Sequence, residues 1–242
     1  MKIAVAQTKP IKGDIEQNIL HHKKLIAVAA SNKADIIIFP ELSITGYEPS
    51  LANKLATNKD DSRFSDLQII SNEQKITIGI GVPLKNEDGI TISMIIFQPG
   101  APRQTYAKQY LHSDEYPYFV GGKEQVLIKI NNNKIAPAIC YELSVPAHSE
   151  HANNQGASIY IASVAKTIAG VEKAHINLSD IALKYSMTVL LSNCIGICDG
   201  EVCGGRSAVW NSKGILLGQL NDSTEGMLIV DTDTNNLISE SI

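Results

Sequence analysis

Four residues of this 242-residue chain stand where their types could do chemistry. Cys140 closes the apolar run of Ala-Ile-Cys-Tyr-Glu. A lone thiol in such a run ordinarily packs as a small hydrophobe. Its place changes the reading, because the carboxyl ends of strands in open α/β sheets are where ligands collect. Glu41 follows the apolar stretch Ala34–Phe39 and a proline. A carboxylate partly enclosed by apolar neighbours has a raised pKa and can take a proton as a general base. Lys108, in Tyr-Ala-Lys-Gln-Tyr-Leu, offers a cation that favours a nearby thiolate and can meet an oxyanion. Glu115 precedes the aromatic cluster Tyr-Pro-Tyr-Phe. Taken singly, each reads as a core thiol or a solvated surface charge. Taken together, they supply a nucleophile, a base and a cation, the groups that attack on a carbonyl carbon requires.

The elements that must position these groups are legible in the hydrophobic pattern. Lys2–Ala6 is a short β run, and Asp14 is an N-cap for a helix from Ile15 to Ser31. Ala34–Phe39 reads as a strand buried on both faces, ending at Pro40-Glu41. Ile76–Val82 and Ile90–Phe97 read as strands joined by a Lys-Asn-Glu-Asp-Gly turn, and Arg103–Tyr106 as a short strand. The opening pattern then recurs: strand Lys134–Cys140, helix Val145–Asn154, strand Ala157–Val164, helix Ile168–Tyr185 and strand Thr188–Ser192. Ser207–Trp210 and Gly214–Leu217 form a hairpin pattern, and Met227–Val230 is expected to be the last strand. Two α/β halves stacking their sheets, with helices outside, make one layered α/β domain.

Composition narrows the class. Hydrophobic residues make up 44% and charged residues 19%, enough apolar material for a sizeable core. The net charge is −4 with no run of Lys or Arg, so no basic stripe is present to track phosphates, and nucleic acid is excluded as an expected partner. The first apolar stretch, Ile3–Ala6, is too short for the core of a secretory leader, and no segment approaches the roughly 18 apolar residues of a membrane span. A cytoplasmic protein is the default expectation, with its four cysteines kept as thiols.

The order Pro-Glu41-Leu-x-x-x-Gly-Tyr, Tyr-Ala-Lys108-x-x-Leu, Glu115 before aromatics, and Ile-Cys140-Tyr-Glu resembles the nitrilase superfamily of carbon–nitrogen hydrolases. Glu41, Lys108 and Cys140 are separated by 67 and 32 residues, which fits that family. The opening Ile-Ala-Val-Ala-Gln and the later Gly205-Arg-Ser-Ala-Val-Trp-Asn fit it too, so the resemblance runs from Lys2 to about Asp231. The resemblance implies a single carbon–nitrogen hydrolase domain over 1–242, a four-layer α-β-β-α sandwich, and a homodimer or larger homo-oligomer. It makes Cys140 the nucleophile, Glu41 the base and later the acid, Lys108 an oxyanion partner, and Glu115 the second glutamate that positions lysine and substrate. The backbone N–H of Tyr141 becomes the other oxyanion donor. No metal or organic cofactor is implied.

The resemblance also narrows the substrate. Strict nitrilases usually carry Trp after the nucleophile, and Tyr141 stands there instead, which favours a small linear amide or N-carbamoyl compound over a nitrile. Many members follow Cys-Tyr-Asp with Arg-Phe-Pro, whereas this chain reads Tyr-Glu142-Leu-Ser-Val-Pro146 without the arginine. Tyr47, His112, Tyr116, Tyr141, Glu142, Ser163 and Ala165 are expected to line the substrate pocket, with Lys166 following at the strand end. Alternatives are a strict nitrilase, a glutaminase serving a synthetase, and a non-catalytic binding protein on the same fold. His148-Ser-Glu-His151 reads as a surface helix rather than a metal site, lacking a third ligand. Cys194, Cys198 and Cys203 lack the usual Cys-x-x-Cys spacing, and the glycines around them suggest a loop.

Overall fold

The alternation of side chains along each strand determines the layering. In the computed structural model, which describes residues 1–241, Ala4 and Ala6 of the strand Lys2–Gln7 join one core cluster and Ile3 and Val5 another. Its neighbour Ile36–Ile38 divides in the same way: Ile37 faces the first cluster, Ile36 and Ile38 the second. A strand with two buried faces needs apolar residues at every position, which is why these runs do not alternate with polar residues.

The seven-stranded sheet runs in the order Leu237–Ser241, Gly226–Asp231, Lys2–Gln7, Ile36–Ile38, Thr77–Asn86, Gly89–Phe97, Gln104–Ala107. The six-stranded sheet runs Leu216–Gln219, Ala208–Trp210, Thr188–Asn193, Ile159–Val164, Asn133–Ile139, Ile128–Ile130. Each has a parallel centre: Ile36–Ile38 between Lys2–Gln7 and Thr77–Asn86 in one, Ile159–Val164 between Asn133–Ile139 and Thr188–Asn193 in the other. The remaining neighbours are antiparallel.

Ile3, Val5, Ile36 and Ile38 of the first sheet meet Ile135, Ile139, Ile159, Ile161 and Leu190 of the second in one buried cluster, so the sheets stack face to face. Two serines stitch them polarly: Ser163 Oγ donates to Phe39 O at 2.8 Å and Ser192 Oγ to Ala6 O at 2.6 Å. On one outer face lie the helices Ile15–Ser31 and Ser65–Gln74, through Ile19, Leu25, Ile26 and Leu67. On the other lie Pro146–Asn154 and Ile168–Tyr185, through Ala152, Val171, Leu178 and Ala182. The result is the four-layer α-β-β-α sandwich. The first long helix begins at the expected cap, Asp14, which accepts from Gln17 N at 3.1 Å; the second is capped by Thr167, whose Oγ1 accepts from Gly170 N at 3.3 Å. Among the described residues, no helix is long and apolar enough to cross a membrane.

Several elements depart from the pattern reading, among them the short strand Ile128–Ile130 and the single turn of helix Ala52–Leu55, which it did not contain. Ser65–Gln74 is helical although only Leu67 and Ser71 are buried, too few to print a period. The glycine-rich stretch expected as a loop is a hairpin, Ile195–Cys198 against Glu201–Gly204. Leu237–Ser241 adds a strand beyond Gly226–Asp231, which corrects the expectation that Met227–Val230 is the last; as an edge strand, much of it stays exposed and its residues are mostly polar.

Candidate active site

Glu41 is held by a turn that leaves the strand Ile36–Ile38 and drapes across Thr77–Asn86. Phe39 N donates to Gly79 O at 2.9 Å and Ile44 N to Gly81 O at 3.0 Å, with Leu42 at φ 50° between them. The turn lies so close that a Cβ on Gly81 would stand 2.4 Å from Leu42 N and Pro40 O. Only glycine permits this approach, so Gly81 fixes where the Glu41 carboxylate points.

Lys108 follows the strand Gln104–Ala107 and is pinned from both sides, its N donating to Ile92 O at 2.8 Å and its O accepting from Gly122 N at 2.7 Å. Its Nζ donates to Glu41 Oε1 at 2.8 Å and to Glu115 Oε1 at 2.6 Å. Glu115 in turn accepts from Tyr47 OH at 2.9 Å and from His112 N at 2.8 Å. The second oxygen of Glu41 accepts from Ala165 N at 3.2 Å. All three charged side chains are essentially out of water. Such a group persists only because every charge has a partner.

Cys140 ends the strand Asn133–Ile139 and opens the 3-10 helix Cys140–Ser144, with φ at 47°. A non-glycine residue in that region is strained, and the strain lifts the side chain off the sheet edge. Its half-buried thiol lies close enough to the Glu41 carboxylate for each to shift the other's ionisation. Tyr141 N lies in the first turn of the 3-10 helix, where amides have no intrahelical acceptor and remain free for an anion.

Burial, followed by the Glu41 anion, pushes the Cys140 thiol up to about 11, against the pull of Lys166 and Lys108. Burial also raises Glu41, against the neighbouring Lys108. Burial alone would lower Lys108, but Glu41, Cys140 and Glu115 hold its ammonium above the ordinary value. The resting arrangement is therefore a neutral thiol beside a carboxylate that can accept its proton, with a fixed cation alongside.

The other expected pocket residues divide. Tyr47 and Ala165 touch the charged group through the contacts above. His112 and Tyr141 meet edge-on at 5.3 Å, and both expose part of their rings beside the site, while Tyr116 is 68% exposed. Ser163 is spent on the Phe39 carbonyl. Glu142 is fully buried and turned away from solvent. It accepts from Ile139 N at 2.7 Å, Gln109 N at 2.6 Å and Tyr106 OH at 2.7 Å. It thereby ties the strand that leads into Cys140 to the residue after Lys108, and burial raises its carboxyl to about 7. His148, expected on a surface helix, is buried: its Nε2 lies 2.8 Å from Tyr106 OH and its Nδ1 2.8 Å from Tyr160 OH. Pro146 starts the helix so that this first-turn residue faces the sheet, while His151 stays exposed.

Asn193 was not foreseen. Its Oδ1 accepts from Lys166 N at 2.9 Å and its Nδ2 donates to Lys166 O at 3.2 Å and Gly205 O at 2.8 Å, clamping the segment that carries the Ala165 amide. An asparagine at a strand end has no sequence signature for that task. Lys166 itself, half-buried, has no carboxylate within ion-pair distance among the described residues.

The family profile described as carbon–nitrogen hydrolase matches residues 2–239. A glutamine-dependent NAD(+) synthetase of Thermotoga maritima is 24% identical across the whole chain, which spans 44% of the synthetase's length. A 2-oxoglutaramate amidase of Bacillus subtilis is 24% identical over 84% of this chain and 80% of its own. An amidase of Nesterenkonia sp. AN1, solved with acrylamide added at its active-site cysteine, superposes with a TM-score of 0.87 at 23% identity, covering 96% of this chain and 92% of that one. That likeness is one of fold.

Proposed function

The chain belongs to the carbon–nitrogen hydrolase family, and we propose that it is an amidase, acting on a small amide that carries a carboxylate, by way of a thioester on Cys140. One observation carries the reading: a buried carboxylate and a buried ammonium, hydrogen-bonded to each other, stand beside a neutral thiol.

In this reading Glu41 takes the thiol proton as the Cys140 sulfur attacks the carbonyl carbon. The negative charge that forms on the substrate oxygen is met by the Lys108 ammonium and the Tyr141 N–H. Losing one such donor typically costs about 10²–10³ in rate. The carbon–nitrogen bond breaks as Glu41 returns its proton to the departing nitrogen, and ammonia leaves. Water then attacks the thioester, Glu41 takes its proton, and the carbon–sulfur bond breaks to give the acid and the restored thiol. Glu115 and Tyr47 hold Lys108 in place throughout.

The carboxylate preference rests on Lys166. Its charge, like that of Lys108, favours the thiolate, yet no acid lies within ion-pair distance of it among the described residues. A cation left unpaired beside the nucleophile suits an anionic substituent on the acyl chain. The amidase relative's named substrate, 2-oxoglutaramate, is an amide of that kind.

The test is a panel of butyramide, 2-oxoglutaramate, glutamine, an N-carbamoyl amino acid and butyronitrile, with ammonia assayed. Carboxylated amides are expected to turn over best, and Lys166→Met to raise KM for them but not for butyramide, with any change in kcat shared by both. Equal use of charged and uncharged amides by both proteins refutes the carboxylate reading. Turnover of the nitrile alone refutes the amidase reading.

A further inference from the structure

The amide chemistry leaves three thiols unused. The hairpin Ile195–Cys198/Glu201–Gly204 brings Cys194, Cys198 and Cys203 together with their sulfurs within 4.8 Å of one another. Cys194 and Cys198 are closest, Sγ to Sγ 3.5 Å. A straight strand would hold residues four apart at about 13 Å. Gly196, at φ 83°, curls the chain between them. Cys203 enters from the other arm, where it pairs with Gly196 and bridges to Thr167, while Cys194 bridges to Thr8. The Cys-x-x-Cys rule that argued against a cluster considers only linear spacing, and the curled hairpin defeats it.

All three side chains are buried, walled by Tyr47 and Ala165. No imidazole or carboxylate joins the group among the described residues. The Cys198 sulfur lies 3.5 Å from that of Cys194 and within 4.8 Å of that of Cys203. We infer that Cys194, Cys198 and Cys203 form a three-thiolate site for a soft monovalent cation of the Cu(I) class.

The donor set selects the ion. Thiolates favour soft metals, and zinc in a structural site wants four ligands. Three sulfurs and an apolar wall suit an ion content with three. At a metal–sulfur distance of about 2.3 Å, a trigonal arrangement spaces its sulfurs about 4 Å apart. The present spacings of 3.5 Å to at most 4.8 Å need shifts of under about 1 Å to reach it. A disulfide would consume two of the three thiols and leave the third without a role. Binding exchanges thiol protons for the cation, the protons passing to solvent, and copper changes no oxidation state. Entry requires only local opening, because the hairpin's Ile197 and Val202 are exposed at the surface.

The experiment uses the full-length Cys140→Ala protein, reduced and kept anaerobic, so that the catalytic thiol cannot contribute. Cu(I) is titrated against a chromophoric Cu(I) chelator, and the copper environment is read by X-ray absorption. One ion per chain is expected, with a shell of three sulfurs at about 2.3 Å and no lighter ligand. Cys194→Ser, Cys198→Ser and Cys203→Ser, each added to that background, should lower affinity at least about 100-fold. The absorption spectrum needs no cluster variant, so it decides even where a serine variant fails to fold. Failure to hold copper against the chelator, a nitrogen or oxygen shell, or undiminished binding by the folded serine variants overturns the site.

Discussion

Glu41→Gln keeps the size of the side chain and removes its charge, so it separates two jobs the carboxylate performs. In the resting protein the Glu41 anion opposes ionisation of Cys140, second only to burial, and the thiol stands at about 11. A unit charge about 4 Å away at an effective dielectric of about 20 is worth about 4 kcal/mol, or about three pH units. The glutamine relieves that repulsion and leaves Lys108 less neutralised, while burial persists. The thiol pKa is therefore expected to fall by about one to three pH units. Alkylation by iodoacetamide at pH 8, which samples the thiolate, should quicken by about tenfold or more. Amide turnover should move the other way, by about 10²–10⁴, because nothing protonates the leaving nitrogen or activates water. The assay is a pH series of alkylation rates by intact mass, beside ammonia release from the same preparations. Slower alkylation with an unshifted midpoint, or turnover within a few-fold of wild type, would refute the reasoning.

Three other outcomes follow from the same geometry. Lys108→Met leaves Glu41 and Glu115 buried without their cation; it should cost about 3–5 kcal/mol of stability in denaturant titrations and about 10²–10³ in kcat. Gly81→Ala drives a methyl into the Pro40–Leu42 turn, 2.4 Å from two backbone atoms; turnover should fall with a stability loss of about 1–3 kcal/mol, and unchanged kinetics would contradict the role given to that approach. His22 lies buried between Asn18 O and Ser43 Oγ, at 2.7 and 2.9 Å, and burial lowers its pKa to about 3. The folded state thus keeps it neutral while the unfolded state protonates it below about 6.5. Its contribution is full above about 6.5 and is lost as pH falls from there toward 3. His22→Gln should flatten that acid slope by one proton in chemical denaturation at stepped pH.

Much of this was written in the hydrophobic pattern. The helices Ile15–Ser31 and Ile168–Tyr185 match their expected ends because Asp14 and Thr167 cap them and apolar residues recur at helical spacing. The buried strands were legible because both faces demand apolar side chains. Glu41, Lys108, Glu115 and Cys140 are brought into one group as their order implied. What escaped has a physical reason. Glu142 lies one residue beyond the exposed Tyr141, and spacing alone does not reveal that its acceptors are spent on the Ile139 and Gln109 amides. Asn193 works through backbone atoms brought near by the fold. The thiol cluster depends on a positive φ at Gly196, which hydropathy does not report.

The decisive measurement is intact-mass analysis of wild type and Cys140→Ala after brief incubation with the amide panel, ammonia assayed in parallel. The account predicts ammonia release and an acyl adduct on wild type whose mass names the acid, with both lost in Cys140→Ala. Ammonia release that survives the substitution would contradict it.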